Sequence, residues 1–261
     1  MTYQILGVGN NAKTIKGDGS EYVTAIRYLK PFKTMFKGKV HNLCAMAETA
    51  KCHEGCLFTA GRGAMNAVQR GRERKTMWLL SDPIGFYDAL NADIVTFIRR
   101  QLKNGIVPCI RLGGTDDKGD AIKLASSYPD AQFYDYTKVI KRAYMELPAN
   151  YHITLSYSEA DMDYADKVYQ AVLDTGVNMA VVFRDKLPAT FRGLRVIDGD
   201  KDDLRFLDPK GVVVGLKAKG KAKRDDTGFV IDPNWTLPDG TVWSDRMMQH
   251  KYPDILGIDN R

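Results

Sequence analysis

Downstream of residue 82 the apolar positions fall into short alternating patterns. Pro83 opens a segment in which Phe86, Leu90, Ile94, Phe97, Ile98 and Leu102 recur at helical spacing, and Asn104-Gly105 ends it. Proline suits a first helical turn, where its missing N–H has no acceptor to lose, and an Asn-Gly pair suits a C-cap. The spacing predicts an amphipathic helix from Pro83 to that cap. The apolar run IVPCIRL follows, stops at Gly113-Gly114, and gives way to a weaker helical stretch from about Asp120 to Ser127. The pair then repeats: QFYDYT with KVIKRAYME, HITLSYS with EADMDYADKVYQAVLDTG, NMAVVFR, LRVID and finally GVVVGLKA. In the third helix Met162, Ala165, Val168, Tyr169, Val172 and Leu173 share one face.

Short strands alternating with helices predict βα units with parallel pairing and right-handed crossovers. The expected fold is therefore α/β: a partial (βα) barrel of about six parallel strands over residues 1–231, with a cysteine loop at 41–63. Residues 232–261, with Trp235 and Trp243 but little periodicity, read as an extension packed on it. A doubly wound sheet is the alternative, although no glycine-rich phosphate loop follows an early strand; GVGNN at 7–11 reads as a plain turn.

In either architecture a ligand lies at the carboxyl ends of the strands, where the loops converge. Those ends hold Arg111, Gly113, Gly114 and Asp116; Asp135, Tyr136, Thr137 and Lys138; Ser156, Ser158 and Glu159; Arg184; Asp198 and Asp200; Lys217 and Lys219. A set so dense in both signs points to a polar, charged ligand.

At 261 residues, with 44% hydrophobic and 27% charged positions, the chain has the balance of a globular protein with a sizeable core. No run approaches a membrane span and the N-terminus lacks a signal-peptide layout, so the expectation is a protein that stays in the cytoplasm where it is made. The formal charge of +6 permits contact with nucleic acid without requiring it.

The cysteines change the picture. Cys44, Cys52 and Cys56 stand at spacing C-x7-C-x3-C, and Cys109 lies alone in an apolar run and reads as core. Disulfides belong to secreted chains, which this does not resemble. Three thiols on one irregular segment can turn to a common centre. Structural zinc needs a fourth ligand, which His41 or His53 would supply. An iron–sulfur cube held by three thiolates leaves one iron open to a substrate or cofactor. Free cysteines buried as small hydrophobes are the remaining reading.

Gly61-Arg62-Gly63 and the basic stretch NAVQRGRERKT follow Cys56. They read either as a solvated helix face or as an anion-binding lip beside the thiols. Five of the eight residues from Lys217 to Arg224 are basic, a polyanion-contact loop or a plain connection. Asp198, Asp200, Asp202, Asp203 and Asp208 crowd one segment, as a magnesium-dependent phosphodiesterase would need, but lack the calcium-loop glutamate; a solvated turn fits them as well.

The runs CLFTAGRG, NAVQRGRERKT, VPCIRLGGTDD, QFYDYTK, NYHITLSYSE, NMAVVFR and VIDGDKDDLRFLDPKGVVVGLKAKGKAK, over about residues 40–231, resemble the bacteriophage "gene product 88" family, for which no reaction is implied. The cysteine loop followed by CIRL and FYDYTK is also similar to radical S-adenosylmethionine enzymes, which pair a partial βα barrel with a three-cysteine [4Fe-4S] cluster. That likeness implies Cys44, Cys52 and Cys56 as cluster ligands, with Arg62, Arg111, Asp116, Asp135, Tyr136, Lys138 and Arg184 around a bound cofactor. It also implies electron transfer to the sulfonium of S-adenosylmethionine, giving a carbon radical that abstracts hydrogen from a nucleotide, nucleic-acid or peptide substrate. The thiol spacing departs from the usual C-x3-C-x2-C, which bears on S-adenosylmethionine more than on the cluster. Two other classes stand beside it: a zinc- or cluster-stabilised nucleic-acid-binding protein without catalysis, and the phosphodiesterase.

Overall fold

A single large sheet organises the chain in the computed structural model, which describes residues 4–8 and 21–253. In chain order the strands are β1 (Leu6–Val8), β2 (Tyr22–Arg27), β3 (Lys33–Phe36) and β4 (Lys39–Asn42). Helices α1 (Cys52–Gly55), α2 (Asn66–Ser81) and α3 (Pro83–Lys103) lead to β5 (Val107–Arg111). Then come α4 (Ala121–Leu124), β6 (Gln132–Thr137), β7 (Tyr151–Ser156), α5 (Met162–Thr175), β8 (Asn178–Phe183), β9 (Thr190–Phe191), β10 (Leu194–Asp198) and β11 (Val213–Lys217). The last elements are β12 (Val230–Ile231), β13 (Trp235–Thr236), β14 (Val242–Trp243) and α6 (Asp245–Lys251).

The sheet order is β1-β2-β5-β6-β7-β8-β11-β10-β9. Seven of these strands, β2 to β10 in that order, run parallel, while β1 and β9 pair antiparallel at the two edges. The expected barrel is thus an open, mostly parallel sheet whose edge strands do not meet. β2 is a further parallel strand ahead of the cysteines, and LRVID (β10) lies outside GVVVGLKA (β11), which pairs with NMAVVFR (β8). At the carboxyl end of β8, β12 takes over from β7, pairing with Val182 and Phe183 where β7 stops at Ala180.

Register fixes the two faces. Ala25, Ile110, Phe133 and Ile153 turn to one side, where they pack with Phe86, Leu90, Ile94, Phe97 and Ile98 of α3. On that same side Leu155, Met179, Val181 and Val213 pack with α5. Burying several such side chains at about 2 kcal/mol each is what holds these helices to the sheet. Leu102 and Leu173, expected on buried faces, are about half exposed, because they sit in or near last turns that run past the sheet. Asp82 caps α3 through Gly85 N at 3.0 Å, and Gly105 at φ 70 leaves it in the left-handed conformation that glycine tolerates.

The other face carries Thr24, Cys109, Arg111, Tyr134, Tyr136, His152 and Thr154. The connection between β10 and β11 covers it. Phe206 stands 5.6 Å from both Tyr22 and Tyr134, and Asn178 Nδ2 donates to Pro209 O at 2.8 Å. The helix expected from KVIKRAYME is only a 3-10 turn, Ile140–Tyr144. Arg142 is drawn inward instead, bonding Thr137 Oγ1 at 2.8 Å, Asp117 O at 2.9 Å and the Asp117 carboxylate, which ends the turn early. Of the 232–261 extension, α6 buries Met247 and Met248. GVGNN is described only at Gly7 and Val8, in β1; Gly9, Asn10 and Asn11 lie outside the described residues, as do 254–261. Among the described residues no helix is long and apolar enough to cross a membrane.

Candidate functional site

The chain from Leu43 to Ala64 lies across the carboxyl ends of the strands, held there by contacts to three different strand exits. Cys44 Sγ donates to Thr115 O at 3.8 Å and Asp117 N to Leu43 O at 2.8 Å, both beyond β5. Ser158 Oγ, beyond β7, donates to Ala50 O at 2.8 Å. Beyond β11, a Cβ on Gly220 would stand 2.8 Å from Ala60 Cβ, so the 3-10 turn Gly220–Arg224 approaches this segment as closely as a glycine allows.

Cys44, Cys52 and Cys56 are all free and half-buried. Burial pushes the Cys44 thiol up to about 12, the Phe32 N–H donating to its sulfur at 3.3 Å draws it down, and Asp116 and the other two thiols raise it further. Burial also raises Cys56; the Phe58 N–H lowers it, Cys52 raises it, and the cations Lys138 and Arg72 pull it down. The three sulfurs therefore share one electrostatic neighbourhood, in which burial outweighs the pull of Lys138 and Arg72 on Cys56 and favours the neutral thiol. Cys109 lies on the inner face of β5, fully buried, as its apolar run implies.

Among the described residues no three His, Cys, Asp or Glu side chains converge on one point where a single ion would sit. A tetrahedral zinc needs its sulfurs within about 4 Å of one another. In a cube each thiolate holds a different iron, so the sulfurs stand apart around a body. His53 is engaged elsewhere: Nδ1 lies 3.1 Å from Ala47 O and the ring stacks on Phe32 at 4.8 Å. His41 is in β4, edge-on to Phe36.

Lys138 Nζ bonds Ser156 Oγ and lies 5.2 Å from the Phe229 ring centroid. Arg72, only 6% exposed, stacks over Tyr28 at 5.3 Å, reaches Gly63 O at 3.4 Å, and leaves Nε without a partner. Arg72 was hidden in a basic stretch, yet it falls on the buried stripe of α2 with Thr76 and Leu79, at offsets of four and seven. Arg62, by contrast, is exposed on the rim.

The remaining candidates lie deeper. Arg111 Nη1 donates to Asp203 Oδ2 at 2.7 Å, stacks on Tyr136 at 4.6 Å, and Tyr136 donates to Asp203 Oδ1 at 3.2 Å. Burial opposes the Arg111 charge, but Asp203 outweighs it and raises the pKa; burial likewise raises Tyr136. Asp116 and Asp135 sit near Arg27, a buried cation the sequence reading passed over although it alternates with Val23 and Ala25 in β2. Arg27 Nη2 donates to Asp116 Oδ1 at 2.9 Å, and its Nη1 bonds Asp120. Burial lifts Asp116 to about 6 against the pull of Arg27. Burial lifts Asp135 to about 7 against Arg111 and the Gly113 N–H, which donates to it at 2.6 Å.

Arg184 is drawn to the chain itself. It pairs with Asp232 through Nε and Nη2 and donates to Lys223 O at 3.0 Å and Asp225 O at 2.7 Å, which fixes the lysine turn from beneath. The acidic group is dispersed. Asp200 pairs with Lys219, Asp202 and Asp208 with Arg205, Asp203 with Arg111, and Asp198 accepts from Asp200 N. A cleft of about 530 Å³ between β1 and α3 touches none of the thiols.

Comparison with known proteins extends to one family. No curated protein and no solved structure matches the chain, and the likeness to radical S-adenosylmethionine enzymes finds no support there. The family model described as Gene product 88 matches residues 4–233, which takes in every strand of the large sheet and all three clustered thiols. The chain belongs to the phage Gene product 88 family.

Proposed function

We propose that this is an iron–sulfur protein in which Cys44, Cys52 and Cys56 hold a [4Fe-4S] cluster at the carboxyl end of the sheet, of the radical S-adenosylmethionine type. The observation that carries this reading is the segment with three free thiols strapped to the exits of β5, β7 and β11, beside Lys138 and Arg72. The donor set fits the group: three free sulfurs on one segment, with His53 engaged by Ala47 and Phe32. When bound, the cluster would supply an electron to the sulfonium of S-adenosylmethionine at its open iron. The protein's own part is positional. Lys138, anchored on Ser156, and Arg72, stacked on Tyr28, lie near enough to Cys56 to act on its charge and suit a carboxylate of the cofactor. Arg111 is occupied by Asp203 and stacked on Tyr136, so its part is to order the carboxyl end of β5 and not to reach a ligand directly.

The test is anaerobic purification with iron and sulfide analysis, followed by calorimetric titration with S-adenosylmethionine. Iron and sulfide in equal amounts with visible charge-transfer absorption is the expected result, and saturable binding of S-adenosylmethionine supports the finer reading. A colourless protein with one zinc per chain would overturn both.

A further inference from the structure

Two basic segments, 150 residues apart in sequence, meet at the rim of this mouth. The turn Gly220–Arg224 packs on α1 and on the 3-10 turn Leu57–Thr59. Ala222 is buried, 3.3 Å from where a Cβ on Gly55 would be, and Gly220 sits against Ala60. With Ala222 turned in, Lys221, Lys223 and Arg224 are turned out and exposed. Arg62, two residues beyond Ala60, and Arg70 in the following helix are also exposed. Among the described residues none of these five cations is in an ion pair; Glu54, Glu73 and Asp226 are the exposed acids nearest in sequence, and Glu73 is taken by Lys30 at 3.1 Å. The turn is rigidly held, since Arg184 bonds the carbonyls of Lys223 and Asp225 and is itself clamped by Asp232.

Unpaired cations on exposed turns have a plain physical use. A single phosphate is held by donors that converge in a pocket, whereas cations spread along a rim match the repeated charge of a strand. We infer that this rim binds the phosphate backbone of a nucleic-acid strand, with Arg62 and Arg70 on one side and Lys221, Lys223 and Arg224 on the other. The inference goes beyond the cluster and asks nothing of the thiols.

The experiment is fluorescence anisotropy with a fluorescein-labelled single-stranded oligonucleotide and the full chain between 50 and 200 mM salt. Five phosphate contacts give a slope of about −3.5 in log affinity against log salt, roughly a hundredfold over that range. Replacing Lys221, Lys223 and Arg224 together by Ala flattens the slope by about 2, and replacing Arg62 and Arg70 flattens it by about 1.4. Replacing Arg99, Arg100 and Lys103, exposed at the opposite end of α3, leaves binding unchanged. Circular dichroism confirms the fold of each variant, and two independent segments guard against one that fails to fold. No binding at 50 mM salt overturns the inference. So does equal loss from the α3 variants, or equally tight binding of polyglutamate. Colourless protein that still binds with this slope sinks the cluster and keeps the rim, and an iron–sulfur protein without binding does the reverse.

Discussion

Arg111 and Asp203 meet across the open face of the sheet: the guanidinium at the end of β5 donates to a carboxylate of the β10–β11 connection at 2.7 Å, and the same carboxylate accepts from Tyr136. Both side chains are nearly sealed from water, at 10% and 2% exposure. Asp203→Leu leaves a buried cation alone and is expected to cost about 3–5 kcal/mol. Pairing it with Arg111→Met restores most of that. Denaturant unfolding of both variants checks this, and a double variant as unstable as the single one would contradict it.

Asp135 and Asp116 set a pH dependence. Their folded pKa values, about 7 and about 6, stand above the unfolded value of about 3.9, so between these limits the folded chain holds more protons than the unfolded one. Their contribution to stability is fully present below about pH 4 and is lost as pH rises toward 7. Asp135→Asn, neutral throughout, is expected to flatten that decline between about pH 4 and 7. Urea midpoints across the range test it, and parallel curves for the variant and the parent would refute it.

Gly220 joins the lysine turn to the cysteine segment. At φ +58, with Ala60 Cβ 2.8 Å from where its own would be, Gly220→Ala combines backbone strain with a clash. We expect limited proteolysis to cut near residues 217–225 at least several-fold faster. Gly211→Ala, at φ +69 with open space around it, carries the strain alone and serves as the comparison.

Periodicity made the helices α3 and α5 legible, because their apolar stripes meet one broad outer face of the sheet. It also made most parallel strands legible. β2 escaped notice because YVTAIR ends in Arg27, a cation that reads as a surface residue until Asp116 and Asp120 neutralise it. KVIKRAYME looked helical because nothing local shows that Arg142 is tied to Asp117 and Thr137. At the candidate site the thiols were conspicuous by type and spacing. Arg72 and Arg27 were not, since an ionic partner distant in sequence, or an aromatic ring beneath a guanidinium, leaves no periodic trace. Of the five crowded aspartates, most are matched by arginines and lysines that the fold brings to them, which spacing alone does not show.

The central claim is that three particular sulfurs hold the cluster. Anaerobic reconstitution with iron and sulfide, comparing the parent chain with Cys44→Ala, Cys52→Ala, Cys56→Ala and Cys109→Ala, tests it most directly. We predict that each of the first three loses the visible iron–sulfur absorption and most of the iron, while Cys109→Ala keeps both. Equal iron in all five proteins, or none in the parent, would contradict it.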